Sequence, residues 1–153
     1  MAYPESGGPY FIPNIPLATT DAGVLKEMDI GASSADHGEM LCIKDCTVKR
    51  VQFTAVGEAV SGTTTAPTVI FTKRPTPLSA TDEEVIATIT VPSGTAIGTT
   101  VFVDLEEDFA VGDSLEISHT VGVGTPTGIG FWSIQVDPDP EYHGNNTELI
   151  ESA

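Results

Sequence analysis

Cys42 and Cys46 stand four positions apart, with Ile43-Lys44-Asp45 between them. Along a continuous strand that spacing is about 13 Å, too far for a disulfide, so a bridge needs a turn at Lys44-Asp45. A tetrahedral zinc site wants four nitrogen or sulfur ligands. The chain offers these two thiols and three scattered histidines, His37, His119 and His143, of which only His37 lies close enough in sequence to be a third ligand. Reduced thiols in a small core are the reading adopted, with no metal and no cofactor expected. Asp137-Pro138-Asp139 with Glu141, and Glu106-Glu107-Asp108, could hold a hard cation through carboxylate oxygens. Neither has the Asp-x-Asp-x-Asp-Gly spacing of a calcium loop, and solvated acidic turns account for both. Asn145-Asn146-Thr147 fits a glycosylation sequon, which means little without a secretory signal.

A nucleophilic serine is the other candidate. Gly112-Asp113-Ser114-Leu115 spells the string that names the GDSL esterases and lipases. In that family the serine lies near the chain's start on a strand-to-helix turn, and a late Asp-x-x-His supplies the base. Here the string comes three-quarters along the chain, ahead of a strand pattern at Leu115 to Thr120. The downstream pair, Asp139 and His143, is one residue too long. Gly-Asp reads as a tight turn between two strands, and no catalytic residue is assigned. Phe131 and Trp132 could stack a sugar, but neighbours on a strand point to opposite faces. Trp132, in register with Ile134 and Val136, is assigned to the core.

The surroundings of these residues are unusually acidic. The chain carries 22 Asp and Glu against 6 Lys and Arg, a net charge of −16. Such a surface repels phosphate backbones and anionic lipid, so no nucleic acid and no membrane are expected as partners. All six cations lie in the first 74 residues, and fourteen of the acids follow Pro75. This division suggests that the acidic later part faces solvent and the near-neutral first part faces a partner. The N-terminus lacks the basic and apolar regions of a signal peptide, and no apolar run is long enough to span a bilayer, so cytoplasmic synthesis is expected.

The elements that must position these residues follow a period of two. Val51, Phe53 and Ala55 share a face, as do Val69 and Phe71; Val85, Ala87, Ile89 and Val91; Val101, Val103 and Leu105; Leu115, Ile117 and His119; and Trp132, Ile134 and Val136. β-Branched residues dominate these runs and Gly/Pro turns separate them. The fold expected is all-β, a single antiparallel β-sandwich, jelly-roll-like, over residues 21–136. The capping-box spacing at Thr81 to Glu84 yields to the strand pattern of Val85 to Val91, while Thr20 to Asp29 reads equally as a short helix or as the lead into a strand. Residues 1–20 hold four prolines with Tyr3, Tyr10, Phe11, Ile12, Ile15 and Leu17, an extended apolar arm that either folds over its own core or docks on another chain. Residues 137–153 form a polar, acidic C-terminal tail.

From Thr100 to Thr120 the chain runs strand, Phe, Gly-Asp turn, strand, then a Gly-rich stretch and Ile129 to Val136. This cadence, with the Pro/aromatic arm at residues 3–17, resembles the β-sandwich decoration (cement) proteins of tailed-bacteriophage capsids. The resemblance implies a non-enzymatic virion structural protein on the outer surface of the capsid. It implies assembly as a homotrimer, the major capsid protein as partner, and shell contact through Tyr10, Phe11, Ile12, Pro13, Ile15 and Pro16. A carbohydrate- or receptor-binding head of a phage fibre or baseplate shares the same sandwich.

Overall fold

The computed structural model of the chain describes residues 11–14, 28–31, 34–77 and 79–138. Nine strands account for most of them: β1 (Phe11–Asn14), β2 (Met28–Asp29), β3 (Ala35–Cys42), β4 (Cys46–Thr65), β5 (Thr68–Arg74), β6 (Glu84–Thr90), β7 (Thr100–Phe109), β8 (Ser114–Thr120) and β9 (Val123–Pro138). They form two antiparallel sheets, a five-stranded one in the order β1-β3-β8-β5-β6 and a four-stranded one in the order β2-β9-β4-β7. The antiparallel β-sandwich expected from the period-two pattern is the fold of the chain. Residues 20–27 of the segment left open between helix and strand lie outside the described residues, and Met28–Asp29 is a short edge strand on β9.

Alternation of side chains fills the gap between the sheets. Val51, Phe53 and Ala55 from β4, Val69 and Phe71 from β5, Ala87 and Ile89 from β6, and Leu115 and Ile117 from β8 are all buried. Val101, Val103, Leu105, Trp132, Ile134 and Val136 pack against them while half-buried, so Trp132 belongs to the core face as its register suggested. Val85 departs from the pattern. A bulge pairs Phe71 with Ala87 but Thr72 with Val85, which makes Ile86 the extra residue on β6. The strand changes phase there: Ile86 packs on the core and Val85 is turned out, 57% exposed.

Strands β3 to β9 run antiparallel to their neighbours, so the turns between them collect at two ends. Residues 43–45, 75–83 and 110–113 lie at one end; Ala66-Pro67, residues 91–99 and Val121-Gly122 lie at the other. The first end is tightly built. The N–H of Cys42 donates to the Asp113 carbonyl at 2.8 Å and that of Gly112 to the Cys42 carbonyl at 3.0 Å. Gly112 takes φ +99°, the left-handed value that the Gly-Asp turn requires.

Part of the expected arm belongs to the sandwich. β1 pairs with β3, Phe11 opposite Cys42 and Asn14 opposite Glu39, and the buried Phe11 ring meets the Phe109 ring edge-on at 5.2 Å. At the other terminus β9 continues to Pro138, opposite Cys46. Phe53 sits at the middle of the packed gap with no exposed surface. Phe53→Ala should therefore lower the unfolding free energy by about 3–5 kcal/mol, measured by urea denaturation.

Candidate functional site

Two surfaces combine side chains in ways the strand pattern alone does not require. The first is the outer face of the five-stranded sheet near the tightly built end. Here β5 brings Arg74 beside β8, and β3 lies on the far side of β8. The Arg74 guanidinium reaches Glu116 at 2.9 Å, Glu83 at 3.1 Å and Glu39 at 3.5 Å. Ser114 donates its hydroxyl to Glu39. Three carboxylates thus share one cation, and Glu39 is only 8% exposed. Burial alone would ease the proton off Arg74, but Glu116, Glu83 and Glu39 outweigh it and hold the guanidinium pKa above its ordinary value.

This arrangement fixes the role of the GDSL serine. Ser114 is 1% exposed, its hydroxyl bound to Glu39 beneath Arg74. A nucleophile needs a base on its proton and an open approach to the oxygen. His119, on the same strand, points to the opposite, core side with Leu115 and Ile117. Asp139 and His143 lie outside the described residues. Ser114 as placed is a sheet residue that helps pack a carboxylate.

On the inner side of the same end, Lys73 joins the two sheets. Its ammonium donates to Glu107 at 3.0 Å and to the Asp108 carbonyl at 2.5 Å, with Asp113 at 3.9 Å and the Phe109 ring centre 5.1 Å away. The Glu106-Glu107-Asp108 run is therefore split: Glu107 faces Lys73, while Glu106 binds Lys49 and Asp108 binds Thr47 on the outer face. The run does not converge on one point. Among the described residues no group of His, Cys, Asp and Glu has the disposition of a metal site.

The two thiols do come together. Residues 43–45 turn the chain between β3 and β4, and Cys42 and Cys46 are both buried and both free. A hydrogen bond from Cys46 holds the Cys42 thiol below its ordinary pKa against the opposing effect of burial. The same bond and burial push Cys46 up. The side chain of His37 is not described, and His119 lies toward the other end of the sandwich, opposite Ala35 and Val69.

The second surface is the outer face of the four-stranded sheet. Toward the thiol end its rungs are charged: Thr47 with Asp108, Lys49 with Glu106 at 2.5 Å, and Arg50 with Asp104 at 2.6 Å. Below Arg50 the character changes within one rung. Gln52 donates to Ser133 at 2.7 Å, Thr54 meets Thr100 at 2.7 Å, and Phe102 and Phe131 stand 48% and 42% exposed on either side of β4. Arg50 lies over the Phe102 ring at 3.9 Å, which marks the border. Val56 and, in the adjoining loop, Ile97 are exposed beyond Thr54.

The sequence-assigned contact residues separate. Phe11 is buried in its own domain; Ile12 and Pro13 lie on β1 opposite Leu41 and Met40; Tyr10, Ile15 and Pro16 fall outside the described residues. Phe102 was missed, although its place between the inward Val101 and Val103 gave the signal. The Arg74 cluster had no local signal, because its members are far apart in sequence. Comparisons with protein-family models, with curated proteins and with solved structures give no match.

Arg74→Met keeps the side chain's bulk but removes the cation that Glu39, Glu83 and Glu116 share. The expected loss is about 2 kcal/mol of stability at neutral pH, below the full cost of orphaning a buried charge because the cluster is partly solvated, read as a lowered urea midpoint.

Proposed function

We propose that this chain is a non-enzymatic virion structural protein, a decoration protein that binds the outer surface of an assembled shell and stabilises it. The observation that carries this reading is the seating of the arm. Phe11 is sunk against Phe109, and β1 is paired along the edge of a sandwich whose ends are closed by turn-to-turn hydrogen bonds. Prolines in an arm anchored at Phe11 lower the entropy that docking costs, because each fixes a backbone angle in advance. Phe11 is then the root, and the contact with the major capsid protein falls to Tyr10, Ile12, Pro13, Ile15 and Pro16.

The seating of Phe11 also dictates the test. Deleting residues 1–17 would remove a core side chain along with the contact. Replacing Tyr10, Ile12 and Ile15 together by Ser, with Phe11 kept, should leave the thermal midpoint within a few degrees of the parent. The same variant should lose at least tenfold in co-sedimentation with assembled shells. Undiminished decoration by this variant would remove the arm from the contact.

A carbohydrate-binding head is the second reading, favoured by one observation: Phe131 and Phe102 are exposed beside Gln52, Thr54, Thr100 and Ser133, a flat face of rings and hydroxyls suited to sugar stacking. It requires saccharide binding on a glycan array that Phe131→Ala abolishes.

A further inference from the structure

The turn at residues 43–45 carries β3 of one sheet into β4 of the other, with a cysteine at each foot. Cys42 is 0% exposed and Cys46 2%, and both belong to the core. Neither takes part in the Arg74 cluster or in the aromatic face. The turn folds back over the sulfurs: the Cys42 Sγ lies 3.0 Å from the Lys44 carbonyl oxygen, and the Cys46 thiol donates to the Cys42 Sγ. The surrounding backbone holds this shape. The Asp45 carboxylate accepts from the Val111 N–H at 2.8 Å, and Cys42 is bonded through its own N–H and carbonyl to Asp113 and Gly112.

We propose that Cys42 and Cys46 are an oxidisable dithiol, a site for a small uncharged peroxide, and that the product is a disulfide tying β3 to β4 beneath their turn. An extended strand would hold the two residues too far apart for a bridge, and the turn removes that obstacle. Its place in the fold gives the bridge an effect. Phe11 stands opposite Cys42 on β1, Phe109 stands opposite Cys46 on β7, and the two rings touch edge-on. A Cys42–Cys46 bond is therefore a second link between the sheets beside the Phe11–Phe109 contact, where the chain enters β1 and leaves β9 at Pro138.

The surroundings divide the roles and select the oxidant. Burial alone leaves most structural thiols inert. Here the hydrogen bond from Cys46 favours the thiolate of Cys42, while Cys46 keeps its proton. The Cys42 sulfur attacks one peroxide oxygen, the O–O bond breaks, and the departing hydroxide takes up the thiol proton as water, leaving a sulfenic acid. The Cys46 sulfur then attacks the Cys42 sulfur, the S–O bond breaks, and hydroxide leaves with the Cys46 proton as a second water. Two electrons pass from the sulfurs to the peroxide. Asp45, Asp108 and Asp113 set negative charge around the pair, only partly answered by Lys73 at 3.9 Å from Asp113. Anionic disulfides such as oxidised glutathione are repelled there, whereas hydrogen peroxide carries no charge and is little larger than water.

The inference does not rest on shell binding. The folded full-length chain, treated with hydrogen peroxide, should stay monomeric in mass and give a disulfide between residues 42 and 46 that a thiol reductant reverses. Lys44 makes the product easy to read, since trypsin cuts between the cysteines and leaves two peptides joined only by the bridge. Oxidised glutathione at equal concentration should form it at least tenfold more slowly. The bridged chain should melt about 4–8 °C higher than the reduced one, as befits a short closed loop. In Cys46→Ala, checked by far-UV circular dichroism, the sulfenic acid has no resolving thiol, and dimedone should label Cys42. Thiols that stay reduced in peroxide while the chain is folded would overturn the inference, as would oxygen added to either sulfur without a bridge. A bridged chain with an unchanged midpoint would remove the link between the sheets, and equal rates with oxidised glutathione would remove the selection for an uncharged oxidant.

Discussion

The pairing of β4 with β9 on one side and β7 on the other is the constraint on which the sandwich depends. β4 is twenty residues long, and Cys46, Val48, Val51, Phe53, Ala55 and Val60 all reach the buried side. A strict period of two cannot join Val48 to Val51. Register shifts between Val48 and Arg50 against both neighbours accommodate the odd step, with the extra residue on β4 against β9 and on β7 against β4, and Lys49 and Arg50 turn outward together. This irregularity both keeps the core continuous and places two adjacent cations on a single face. Farther along, Gly130 lies so close to Thr54 that an added Cβ would run into its carbonyl oxygen and the Phe53 ring, so the tight approach of β9 to β4 rests on glycine.

The placement of those cations organises the electrostatics. Lys49 and Arg50 answer Glu106 and Asp104 on the outer face, Lys73 answers Glu107 between the sheets, and Arg74 answers Glu39, Glu83 and Glu116 on the opposite face. Exposed pairs of this kind contribute little individually. Their effect lies in position: four of the chain's six cations stand where strands and turns carry carboxylates, at one end of the molecule. The asymmetry is a property of the folded body and not of either half of the sequence.

That distinction separates what was legible in the sequence from what was not. β-Branched alternation named the inward faces of β4, β5, β7, β8 and β9 because packing between two sheets selects for it directly. It misplaced Val85, since a bulge leaves no mark on composition. The division of charge at residue 74 pointed to an acidic later half facing solvent. Antiparallel strands defeat that reading: each return carries the chain from one end to the other, so Asp104 to Asp108 and the uncharged Thr100 to Val103 occupy opposite ends of one strand. The Arg74 cluster and the Phe11–Phe109 contact are long-range products of the topology, with no local spacing to announce them.

The two ends also differ in what the chain does at them. It enters β1 at Phe11 and leaves β9 at Pro138, both beside the β3–β4 turn. Phe11 couples the entering arm to that turn through Cys42, its neighbour across the sheet, and to the second sheet through Phe109. An edge-on aromatic pair adds about 1 kcal/mol beyond its buried area, which is small against the stability of a domain but sufficient to hold the root of a four-residue strand. If the remainder of the arm binds a shell subunit, this root converts its docking into an intramolecular event once the body is in place, at the millimolar effective concentrations that short linkers give.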